Sequence, residues 1–232
     1  VIALHMSPEE KIGEVKIHDG YSMANVDVFK GVIHGTGGHG AYPHIGTDPF
    51  WMLNHVLQNP YGITGRRITP LEPAVISIGK IQGGMTSNVI PSKVEIEGTV
   101  RSYHPRIKND LRSEIEKSFS IVEKIGGSFH LEWIEEDPAL YNNPRINQLF
   151  KKVINDKFPS YRIIKEPFGL GGEDFAHMTK KVPGAMFFLG CALEDGKSRG
   201  LHTPYFDIDE KALSIGATIL SETAMRFLGE GF

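Results

Sequence analysis

One cysteine, Cys191, occurs in 232 residues. No internal disulfide can form, and a reducing, cytoplasmic setting fits. Basic charge is not in excess: 25 Lys and Arg against 28 Asp and Glu leave a net charge of −3. That balance gives no electrostatic footprint for nucleic acid and no pull toward an anionic membrane. No apolar run reaches the roughly 18 residues that a membrane span needs, and no signal peptide is visible. HExxH, HxD and CxxC spacings are missing, so the common single-motif metal sites are excluded. Repeats and low-complexity tracts are missing too.

What is present suits an ordinary globular protein. The chain is 40% hydrophobic and 23% charged, enough for a real core, and its length suits one or two domains. It opens VIALHMSP, with neither an initiator Met nor a turn signal ahead of the apolar residues. This reads as a strand end from something longer, hence as a fragment or a processed chain.

Residues 27–34 (DVFKGVIH) predict a strand. Residues 48–60 predict a helix, with Asp48 as N-cap and Pro49 at the first position. Residues 73–81 are β-rich. Residues 93–102 alternate, with Val94, Ile96 and Val100 on one face and Lys93, Glu95, Glu97 and Arg101 on the other. Residues 105–125 carry apolar side chains at helical spacing between Pro105 and Gly126-Gly127, and Phe129, Leu131 and Trp133 alternate after them. The order over 27–135 is β-α-β-β-α-β, the ferredoxin-like split βαβ pattern. Residues 138–144 read as a linker. A helix is expected over 144–158, a doubly buried strand over 185–191, and a last helix over 209–228 opened by Asp209. The ends of the chain are thus α/β in character, and the middle is a separate α+β module.

GVIHGTGGHGAYPH, residues 31–44, sets His34, His39 and His44 five apart among glycines. Imidazole is a common metal ligand, but a glycine-rich loop fixes no geometry between them. A phosphate loop would need the Lys-Ser/Thr that is missing. The plain alternative is a loop with solvated histidines. A further option is one histidine donating a hydrogen bond to a developing oxyanion. Spacing does not choose among these.

The stretch gains meaning from the segments downstream: Asp48-Pro49, GGMTSNVIP (83–91), GTVR (98–101), GGEDF (171–175), PGAMFFLG (183–190) and LHTPYF (201–206). This ordered set resembles the M20 metallopeptidase family. It is most similar to the branch of aminoacylase-like and auxin-conjugate amidohydrolases and thermostable carboxypeptidases. The resemblance implies an α/β fold, a partial zinc-peptidase catalytic domain (residues 1–26 and 137–232) with an inserted ferredoxin-like lid (27–136) that mediates homodimerisation.

It also implies roles. His5 in ALHMSP and His202 in LHTPYF match metal ligands, in a site for two divalent ions, Zn2+ first, with Mn2+ or Co2+ as alternatives. Their plain alternative is a histidine that ends a strand. His39 matches a catalytic lid histidine that serves the neighbouring subunit as an oxyanion donor, while His34 and His44 keep the solvated reading. Asn88 matches a substrate binder, or else a turn-former before Pro91. Arg101 matches a clamp for a free substrate carboxylate, or else a surface cross-strand ion pair with Glu95 or Glu97. The turn Gly171-Gly172-Glu173-Asp174 matches the pocket wall near the metals, but Glu173 could equally cap the helix that follows and is given no catalytic role.

The family's C-x-H-x-x-G-H-D segment and Glu-Glu pair are not found. Glu9-Glu10 and Glu135-Glu136 stand in other contexts. At most two ligands are therefore expected, too few for a closed site. The chain alone is then expected to hold metal weakly or not at all and to be inactive. The N-terminal portion, as a second chain, is a candidate partner. The expected activity is hydrolysis of an amide in N-acyl amino acids or peptides with a free carboxylate. The alternative is a non-catalytic dimerisation or regulatory module of the same family. An RNA-binding reading lacks aromatic RNP segments and a basic surface.

Overall fold

The computed structural model describes residues 1–197 and 199–230, with backbone only at Glu230. In chain order the strands begin β1 (Ile2–Lys11), β2 (Glu14–Lys16), β3 (Gly20–Met23), β4 (Asn25–His34) and β5 (Gly38–His39). Helices α1 (Pro49–Gln58) and α2 (Pro60–Arg66) come next, then β6 (Ala74–Gly83), β7 (Val89–Ile90) and β8 (Lys93–Ser102). After these come α3 (Pro105–Lys124), β9 (Ser128–Asp137), β10 (Leu140–Asn142), α4 (Pro144–Lys157) and β11 (Arg162–Ile164). The last elements are α5 (Phe175–Thr179), β12 (Ala185–Ala192) and α6 (Lys211–Glu230). No described helix is long and apolar enough to cross a membrane.

Two compact units result. One comprises Val1–Met23, Leu140–Gly169 and Glu173–Phe232; the other comprises Ala24–Ala139 and Leu170–Gly172. The second is built on a four-stranded antiparallel sheet in the order β6-β8-β4-β9. β8 alternates because one face meets helices: Val94, Ile96 and Val100 are buried, while Lys93 and Glu95 pair at 2.7 Å outside. α3 lays Ile107, Leu111, Ile115, Phe119 and Val122 on that core, with Met52 and Val56 from α1 and Ile63 from α2. Each fully buried large side chain contributes about 1.5–3 kcal/mol. Asp48 caps α1 by accepting from Phe50 N–H at 2.8 Å. The helix expected through residue 60 stops at Gln58, because Pro60 brings no N–H and starts a new helix instead.

The first unit holds a mixed sheet in the order β1-β12-β2-β11. β1 and β12 run parallel, and β2 pairs antiparallel to β12. β12 is buried on both faces. Its Ala185, Phe187, Leu189 and Cys191 pack with Ile146, Phe150, Val153 and Ile154 of α4 and Ala212 and Ile219 of α6. Its Met186 and Phe188 pack instead with Phe175 and Ala176 of α5. β1 is an edge strand, where Pro8 does not interrupt a central ladder. Asp209 opens α6 by accepting from Lys211 N–H at 3.0 Å.

The linker reading of 138–144 is corrected. Residues Leu140–Asn142 form β10, paired antiparallel with β3. Asn142 explains it: the fully buried carboxamide donates to Met186 O (2.9 Å) and accepts from Met186 N–H (2.9 Å), in the manner of a backbone partner. An Asn flanked by prolines signals a loop locally, and only the tertiary partner makes it a strand.

Candidate active site

The Ala24–Ala139 unit turns the glycine-rich loop into a tight ribbon. Thr36 and Thr47 close the loop reciprocally, each N–H donating to the other's Oγ1 at 2.9 and 2.8 Å. β5 pairs with β7, setting His39 opposite Val89. Gly37 has φ 65°, and a Cβ there would lie 2.7 Å from Ile90 O. A Cβ on Gly40 would meet Asn88 O at 3.0 Å. Glycines are needed because backbone lies against backbone. Gly40 N–H donates to Asn88 O at 2.9 Å, so His39 and Asn88 are brought side by side.

The His39 ring is exposed, with Tyr42 at 5.3 Å between centroids. Ala41 N–H donates to its Nδ1 at 3.1 Å. A backbone N–H can only donate, so Nδ1 carries the lone pair. In the neutral ring the proton then sits on Nε2, which is left as an outward donor. Asn88 Oδ1 accepts from Thr86 Oγ1 at 3.1 Å, leaving the amide nitrogen to donate. A cleft of about 540 Å³ runs beside the ribbon, lined in part by Gly37, Gly38, Met85, Thr86, Val89 and Ile90.

Arg101 stands half-buried on β8. Glu95 and Glu97 are paired elsewhere, with Lys93 and Lys80 at 2.7 and 2.8 Å. Arg101 Nη1 donates instead to Leu170 O at 3.1 Å, and Ala24 N–H donates to Gly171 O at 3.1 Å. That bond uses one of the five N–H groups of the guanidinium.

In the other unit, His5 lies on β1 with Phe188 of β12 as its register partner. The two rings stack, 4.7 Å between centroids and 16° apart in plane. His5 Nδ1 and Met6 O are 2.8 Å apart. A carbonyl only accepts, so Nδ1 carries the proton and Nε2 presents a lone pair. A ring anchored to a carbonyl in this way suits a metal-ligating imidazole.

His202 is exposed at φ 60°, the one non-glycine residue with positive φ among those described. Its turn is closed by Thr203 Oγ1 donating to Gly200 O at 2.9 Å. A side chain held in that region costs of order 1–3 kcal/mol and is worth attention as a functional position. His34 ends β4 and His44 sits in a short turn, both exposed.

Of two features near His5, Glu173 was expected only as a cap, in a turn the resemblance sets near the metals, and Phe168 was not foreseen. Glu173 accepts from Phe175 N–H at 3.2 Å. Burial pushes its carboxyl above the usual range, while the Phe175 N–H and His5 pull it back. Phe168 packs against Phe188, 4.3 Å between centroids. Glu173 and Phe168 both lie in the segment between β11 and α5, and no local signal sets that segment beside His5. Cys191 is buried, its thiol pushed up to about 11 by burial and by Glu10 and Asp209, so it serves as packing. Among the described residues, no group of three or more His, Cys, Asp or Glu stands together as a metal centre. His5 fits one coordination position, and a full donor set is not gathered.

Comparison with known proteins gives the family. The sequence matches peptidase family M20/M25/M40 over residues 1–226. It is 35% identical over 232 residues to the N-acetyl-L-cysteine deacetylase of Bacillus subtilis, covering 98% of this chain and 54% of that protein. It is 34% identical over 230 residues to thermostable carboxypeptidase 2 of Saccharolobus solfataricus, covering 98% and 58%. A solved structure from Bacillus subtilis, described as a dinuclear metal binding peptidase of the M20 family, superposes with a TM-score of 0.81. That match has 25% identity and covers 98% of this chain and 57% of the other. The chain thus spans a little over half the length of the relatives it matches. By sequence and by fold, the chain belongs to the M20 peptidase family, a family of hydrolases.

Proposed function

We propose that this chain is part of a metal-dependent amidohydrolase or carboxypeptidase acting on N-acyl amino acids or peptides with a free carboxylate. The observation that carries the reading is the pair of opposite histidine tautomers: His5 offers a lone pair at Nε2, His39 a proton at Nε2. A ligand needs the first and an oxyanion donor needs the second. His5 and His202 would hold part of a two-metal site, most readily for Zn2+, with Mn2+ or Co2+ as alternatives. When bound, such ions supply Lewis-acid polarisation of the scissile carbonyl.

The chain's own residues do the rest. His39 Nε2–H donates to the oxygen on which charge builds during attack. Asn88, held beside it, donates its amide to the substrate. Arg101 reads the free carboxylate with the N–H groups that Leu170 does not take. The unit around β4, β6, β8 and β9 acts as the lid and as the homodimer contact, through which His39 serves the partner subunit. The unit containing His5 and His202 is the catalytic domain in part. The remaining donors and the general base come from outside this chain. One setting that fits is the reducing cytoplasm.

A second reading, a non-catalytic dimerisation or regulatory module, is favoured by the incomplete donor set among the described residues.

The test uses 15N-histidine-labelled protein and two-bond 1H–15N spectra. The expected result is Nδ1–H at His5, Nε2–H at His39, and a zinc-dependent shift of His5 and His202 but not of His39. Equal response of His39 to zinc would remove the donor role. In a form completed by the remainder of the family's chain, hydrolysis of N-acetyl amino acids is then compared with that of their methyl esters. Arg101→Ala is expected to weaken the free acids alone, by about 1.5–3 kcal/mol. No hydrolysis and no tight metal, with or without the remainder of the family's chain, would leave the regulatory module.

A further inference from the structure

We infer that Phe188, backed by Phe168, is a positioning residue that holds the His5 imidazole in its metal-ready orientation. The inference rests on the reading of His5 as a ligand through Nε2. The Nδ1–H bond to Met6 O fixes one atom of the ring. That bond opposes rotation about Cβ–Cγ from one atom of the ring only. The Phe188 face, 16° from parallel at 4.7 Å, opposes the same rotation across the whole ring. Phe168 packs against Phe188 at 4.3 Å between centroids, tilted by 37°, and so limits the movement of that ring in turn. Parallel register puts the side chains of His5 and Phe188 on the same face of neighbouring strands.

Packing alone does not ask for an aromatic residue here. Phe188 shares its face with Met186, Phe175 and Ala176, a small cluster apart from the core formed with α4 and α6. Burial in such a cluster asks for an apolar side chain of about that volume, not for a ring in particular. A flat face against an imidazole is something only a ring supplies. The orientation matters because a neutral imidazole free in water favours the proton on Nε2. Released from Met6 O, His5 would protonate the atom that a metal needs.

The experiment is the tautomer of His5 in the 15N-histidine-labelled chain, with its signal assigned by its loss in His5→Gln. In the unmodified protein we expect Nδ1–H as the major form, with ring protons moved upfield by the Phe188 ring. Phe188→Leu is expected to abolish the upfield shift and make Nε2–H the major form. Phe188→Tyr, which keeps the ring, is expected to restore both. Phe168→Leu is expected to reduce the upfield shift in part.

Phe188→Leu with a native amide spectrum and Nδ1–H still dominant would overturn the inference. Should Phe188→Leu fail to fold, an unchanged His5 signal in Phe168→Leu would overturn it equally. A wild-type His5 already in the Nε2–H form would instead overturn the ligand reading beneath it. The two failures therefore give different spectra.

Discussion

His39 accepts a hydrogen bond at Nδ1 from Ala41 N–H, whereas His5 donates one from Nδ1 to Met6 O. Each partner is backbone within two residues in sequence. The chain thus sets the protonation pattern of each ring locally, and does so in opposite senses in its two units. The surroundings differ as well. The His39 ring is exposed on a glycine ribbon, while His5 is part-buried between an edge strand and an aromatic stack. A donor that meets substrate gains from reach, and a ligand gains from rigidity. Residue type narrows the chemistry, and the neighbour of Nδ1 is what distinguishes the two proposed roles.

The contrast between the two sites breaks if they do not fold separately. Phe119 is the residue to remove. It is 1% exposed, lies against Phe29 and Phe129, and occupies the space that Gly31 leaves empty. Phe119→Ala is expected to cost about 3–5 kcal/mol, a large part of a typical domain's stability. The His39 signature should be lost at a lower temperature, with the His5 signature persisting. Thermal denaturation followed by the two histidine signals checks this. Coincident loss of both would show that one cooperative unit carries both sites.

Turnover sharpens the same contrast. In a form of the enzyme that turns over, His39→Ala is expected to lower kcat about 100- to 1,000-fold, or about 2.7–4 kcal/mol. Metal content, read by elemental analysis, should stay unchanged. Loss of metal would place His39 among the ligands and erase the contrast with His5.

How much of this was legible in the sequence depends on the range of the interaction. β8 announces itself because its two faces differ, and α3 because its apolar residues recur at helical spacing. Asp48 and Asp209 cap the helices they were expected to open. The β-α-β-β-α-β order arises from such local signals. β10 was hidden because Asn142 is a strand residue only by virtue of Met186, far along the chain. α2 was hidden because two glycines weaken its helical pattern. The candidate site divides the same way. His5, His39, Asn88, Arg101 and His202 could be named from ordered motifs. The pairing of His39 with Val89 beside the Gly40–Asn88 bond, the hold of Leu170 O on Arg101, and the Phe188 stack depend on register and loop closure, which no short window contains.

Acid separates the two units more gently. In the unit that carries His39, Glu114 accepts from Arg67 Nε at 2.9 Å and from Lys117 Nζ at 2.7 Å. These two partners hold its carboxyl down at about 2, against an ordinary 4.5. The folded state therefore binds this proton later than the unfolded state does. The contribution is complete above about pH 4.5 and is lost as pH falls toward about 2. Both cations are largely exposed, so the effect stays below about 1 kcal/mol. Glu114→Gln should flatten the acid limb of the His39 unit's melting temperature in that window. It should leave the limb of the His5 unit intact, where Arg162 lowers the pKa of Glu14. Equal flattening of both limbs would mean that the pair acts on the whole chain through net charge rather than on one unit through contact.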